Sequence, residues 1–60
     1  MDKLINNAIV AFQQKLSAKY GHDNSLTVQG VRELNALLKN SKTRFEIIAN
    51  EEKLSKEYGV

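Results

Sequence analysis

The chain has 60 residues, a formal net charge of +2, an isoelectric point of about 9.1, no Cys and no Pro. A chain of this length is one domain, residues 1–60, and it buries only about 60% of the surface it exposes when unfolded, so its core needs support from a disulfide, a metal or a second subunit. The lack of Cys excludes a disulfide framework and a thiolate metal centre, and the single His22 cannot supply the roughly four ligands of a zinc site.

Oligomerisation is the support that remains, so a homo-oligomer, most simply a homodimer, is expected. Asp2 and Lys3 precede a segment broken by Asn6 and Asn7 and then by Gln13 and Gln14, which is unlike a signal peptide. No apolar run approaches the length of about 20 residues that spans a bilayer. These features predict a cytoplasmic protein with no membrane role. The mild positive charge is below what a dedicated nucleic-acid binder shows, although nucleic acid is not excluded as a partner. With three Gly and no Pro, long stretches lack helix breakers, and the fold class expected is all-α.

In chain order, residues 2 to 20 form the first predicted helix. Leu4, Ile5, Ala8, Ile9, Phe12, Leu16 and Tyr20 recur at helical spacing on one face. Asn6, Gln13 and Ser17 mark the opposite side, with Val10 stranded among them. Asp2 in the first turn and Lys15 and Lys19 in the last turns complement the helix dipole. Gly21 is placed for the left-handed conformation that ends helices. The stretch Gly21 to Leu26 is a connection of turn-forming residues, short enough to favour antiparallel packing of the helices it joins. Thr27, or with less support Ser25, is the expected N-cap of the next helix. Gly30 falls in the first turn of that helix, where its cost of about 1 kcal/mol relative to Ala predicts that another backbone passes close by.

From Val28 onward two readings compete. Val31, Leu34, Leu37, Leu38, Phe45, Ile48 and Ala49 fall on one helical stripe that only Ser41 interrupts. That phase continuity predicts an antiparallel helical hairpin with one long second helix, from about residue 28 to about residue 57, ending at Gly59. The alternative is three short helices with a break near 40–43, because Asn40 to Thr43 is polar and Thr43-Arg44-Phe45-Glu46 fits the capping-box pattern. The in-phase stripe is the more global signal, and the long helix is the expectation. At 1.5 Å per residue the two helices would run about 28 Å and about 45 Å, leaving an overhang of roughly 15 Å. Phe45, Ile48 and Leu54 would then lack cover within the chain, and pairing of two hairpins into a dimeric bundle would supply it. Beyond Ala49, Ile47, Leu54 and Tyr58 share a different face, while Glu51, Glu52, Lys53, Lys56 and Glu57 form a mixed-charge solvated surface.

The residues carry no catalytic, cofactor or metal motif and no sign of a small-molecule substrate. His22 lies in a polar turn without partners at metal or triad spacing. Glu46, Glu51 and Glu52 sit among Arg44, Lys53 and Lys56 at spacings that suit surface ion pairs rather than paired catalytic carboxylates. No glycine-rich phosphate loop is present. A helix-turn-helix can be threaded onto Leu26 to Ile48, but no Gly occurs near 40–43 to make its turn. The segment Arg32-Glu33-Leu34-Asn35-Ala36-Leu37-Leu38, after a first helix ending Lys19-Tyr20-Gly21, resembles the small helical-hairpin phosphatases that act on sporulation response regulators. A Ser-Gln-x-Leu-Asp motif carries the activity of that family. Here those positions read Val31, Arg32, Glu33, Leu34 and Asn35, so the Ser, Gln and Asp are lost and the resemblance does not imply the activity.

The function expected from the residues is therefore a small non-enzymatic interaction or regulatory protein of the bacterial or phage accessory type. It would act through an apolar helix face on another protein, as a homodimer, with Leu34, Leu38, Phe45, Ile48 and Leu54 as its candidate interface. The alternative is a small DNA-binding regulator. Lys39, Lys42 and Arg44, interleaved with Asn40, Ser41 and Thr43, are its candidate phosphate contacts, since cations and short polar side chains make such contacts.

Overall fold

A computed structural model describes residues 2–60. These residues form three helices, α1 (Asp2–Tyr20), α2 (Ser25–Lys39) and α3 (Arg44–Tyr58), and no strand. The all-α expectation and the first helix hold. The long second helix does not form, because the chain turns between Lys39 and Arg44, as in the alternative reading. The third helix also separates this chain from the two-helix phosphatase hairpin.

α1 stops where Gly21 takes φ 105° and its amide donates to the Ser17 carbonyl at 3.0 Å. The N-cap of α2 is Asn24, not Thr27 or Ser25. Its backbone is extended (φ −68°, ψ 140°) and its Oδ1 accepts the Leu26 amide at 2.8 Å, satisfying a donor that the helix cannot. Because α2 starts earlier than expected, Thr27 rotates into the interior, where its hydroxyl donates to the Gly21 carbonyl at 2.8 Å. Thr27 thereby ties the first turn of α2 to the end of α1.

The core is built from Ala8, Phe12 and Leu16 of α1, Leu34 and Leu38 of α2, and Ile47, Leu54 and Tyr58 of α3. The Phe12 and Tyr58 rings meet edge to face, with centroids 6.0 Å apart and planes at 88°, a favoured aromatic geometry. Gly30 lies under this pair. A Cβ there would stand 2.6 Å from Leu16 Cδ1, 3.3 Å from Tyr58 Cε2 and 3.4 Å from Phe12 Cε2. The close approach at Gly30 is thus made by side chains, not by the passing backbone that was expected. Burial pushes the Tyr58 phenol above its ordinary pKa, and the neighbouring Glu33 carboxylate acts in the same direction.

The turn at 40–43 is made by polar side chains without any glycine. α2 tightens at its end, where the Asn40 and Ser41 amides donate to the Leu37 and Leu38 carbonyls at 3.2 Å each. Ser41 is buried; its hydroxyl donates to the Leu37 carbonyl at 3.1 Å and accepts Asn50 Nδ2 at 3.0 Å. Thr43 then caps α3, its Oγ1 accepting the Glu46 amide at 3.2 Å. The Glu46 carboxylate reaches back one residue further than the standard box, accepting the Lys42 amide at 3.0 Å.

Burial explains why the turn wins over a continuous helix. Folding back places Ile47, Leu54 and Tyr58 in the core, at about 1.5–3 kcal/mol for each large apolar side chain. Continuing the helix through four residues would gain only tenths of a kcal/mol per residue in propensity. α1 and α3 finish at the same end of the molecule. There Lys19 Nζ donates to the Gly59 carbonyl at 2.9 Å and Tyr20 donates to the Tyr58 carbonyl at 2.5 Å. Gly59 is left-handed at φ 70°, and the Val60 amide returns to the Ser55 carbonyl at 2.8 Å, the Schellman pattern of a helix end. The radius of gyration is 10.7 Å, against about 10.4 Å for a folded domain of this length. One chain closes its own core, and the overhang that would have required a partner does not exist.

Candidate interaction surface

α3 decides which apolar residues remain outside. Successive residues on an α-helix are turned by about 100°, so Ile47, Leu54 and Tyr58, which fill the core, leave Phe45 and Ala49 pointing almost directly away from it. Ile48 flanks them on the side facing α1. Phe45 is 79% exposed and Ile48 47%, and Ala49 is also exposed. The other three aromatic side chains are all engaged: Phe12 and Tyr58 are buried, and Tyr20 packs against the core. Val10, Leu26 and Val28 are exposed too, but none has an exposed aromatic ring beside it on its helix, and single surface aliphatics are ordinary.

The five candidate interface residues therefore separate. Leu34, Leu38 and Leu54 are inside the chain's own core and cannot form a face for a partner. Phe45 and Ile48 remain on the surface. The stripe from Val31 to Ala49 is not continuous in space, because the turn at Ser41 rotates α3 and its two halves face opposite ways. Ser41, the one polar break in that stripe, was the available signal. Its bond from Asn50, nine residues on, had no signature in the sequence.

The three candidate phosphate contacts are all exposed. Lys39 ends α2, Lys42 lies in the turn and Arg44 opens α3. None is in an ion pair; among the described residues the one salt bridge joins Lys15 to Glu51 at 3.8 Å. They lie at the same end of α3 as Phe45. Further along the outer face stands Glu52, exposed and likewise without an ion-pair partner. Lys53 and Lys56, also exposed, follow Glu52 on the same side, so the outer face of α3 is apolar around Phe45, Ile48 and Ala49 and mixed in charge beyond them.

His22 is exposed and lines a shallow groove with Gln13, Val28, Val31 and Arg32. Among the described residues, no group of three or more His, Cys, Asp or Glu is placed to hold a metal ion, and no helix is long and apolar enough to cross a membrane. No protein-family model, no curated protein and no solved structure matches the chain.

Proposed function

We propose that this is a small non-enzymatic interaction protein whose contact surface is the outer face of α3 centred on Phe45 and Ile48. The observation that supports this reading is the 79% exposure of Phe45 in a chain that otherwise engages every aromatic ring. Aromatic side chains are enriched at the energetic centres of protein interfaces. The helix presents Phe45, Ile48 and Ala49 at the i, i+3, i+4 spacing with which helical segments dock into apolar grooves. Such a protein would act in the cytoplasm as a regulatory or accessory component.

A photoreactive side chain at position 45, compared in living cells with the same group at the exposed Asn35 on α2, tests the reading. Protein adducts should form from position 45 and not from position 35. Equal or absent labelling from the two positions would overturn it. The control Phe45→Ser should leave the fold intact, since a side chain this exposed contributes little to stability.

A second reading, binding to duplex DNA, is favoured by one observation: Lys39, Lys42 and Arg44 lie close in sequence, exposed and unpaired. Against it, α3 itself carries Glu46, Glu51, Glu52 and Glu57 opposite Arg44, Lys53 and Lys56, and the Glu46 carboxylate sits within the cluster on the Lys42 amide. If these cations hold phosphates, replacing all three by Gln should reduce the log–log salt slope of binding by about 2–3. No binding of any duplex at low salt removes this reading.

A further inference from the structure

We draw no further inference here: the strongest candidate, the exposed apolar patch of Phe45, Ile48 and Ala49 on the outer face of α3, belongs to the surface already described, and nothing in the structure shows what covers it.

Discussion

The Tyr20 hydroxyl donates to the Tyr58 carbonyl oxygen at 2.5 Å, joining the last residue of α1 to the last residue of α3 across 38 positions of sequence. Lys19 supports the same junction, donating to the Gly59 carbonyl at 2.9 Å and bringing a cation to the negative end of the α3 dipole. These contacts hold α3 at the end furthest from the turn that starts it. Tyr20→Phe keeps the packing of the ring and removes the donor, so the expected loss is about 1 kcal/mol, the net worth of one such bond. In a domain of this size that lowers the melting temperature by roughly 4–8 °C, measurable by circular dichroism. No change on substitution would show that the bond adds nothing to stability.

Alkaline pH should loosen the same helix. The Tyr58 phenol is held above its ordinary value of 10.0 by burial, with Glu33 acting in the same direction. Because the folded state binds this proton more tightly than the unfolded state, the associated stability is fully present below about pH 10. It is lost as pH rises through the folded-state value. Thermal melts across this range, followed alongside the tyrosinate absorbance, should show the melting temperature falling as Tyr58 ionises. Tyr58→Phe should flatten that fall, and an equally steep fall in the variant would assign it to other groups.

The turn between α2 and α3 depends on three polar residues. Replacing Asn40, Ser41 and Thr43 together by Ala removes the Thr43 cap on Glu46 and the Ser41 contacts with Leu37 and Asn50. Cap loss alone costs about 1 kcal/mol, and the exposed-helix gain from Ala has nowhere to act while Ile47, Leu54 and Tyr58 hold α3 against the core. A clear drop in melting temperature is expected. A rise would mean that a continuous helix is accessible after all.

Gly30→Ala sets two effects against each other. Helix propensity favours Ala by about 1 kcal/mol, whereas forcing a methyl group into a filled site costs about 1–3 kcal/mol. Leu16, the nearest neighbour at 2.6 Å from the new Cβ, is fully buried and has Phe12 and Tyr58 beside it at the same site. The crowding should win, with a net loss of about 1 kcal/mol in urea denaturation. A stabilised variant would show that Leu16 can move aside.

Much of the local structure was legible in the residues themselves. The α1 face from Leu4 to Tyr20, the stop at Gly21 and the end at Gly59 each depend on side chains within a few positions of one another, and local backbone chemistry suffices to place them. The cap at Thr43 is as local, but the in-phase stripe that argues for a continuous helix outweighs it in the sequence. The separation of Ile47, Leu54 and Tyr58 from the stripe containing Phe45 and Ile48 was visible as well, but not which of the two faces would be buried. Both faces satisfy helical periodicity, and periodicity is blind to what a helix packs against. Only the tertiary structure decided it, because Ser41 is bonded by Asn50 from the following helix, Gly30 makes room for Tyr58, and Lys19 and Tyr20 secure the far end of α3. Those contacts bring together residues far apart in sequence, and their combined burial outweighs the small propensity advantage of running straight on. The exposure of Phe45, and with it the proposed surface, is a consequence of that choice.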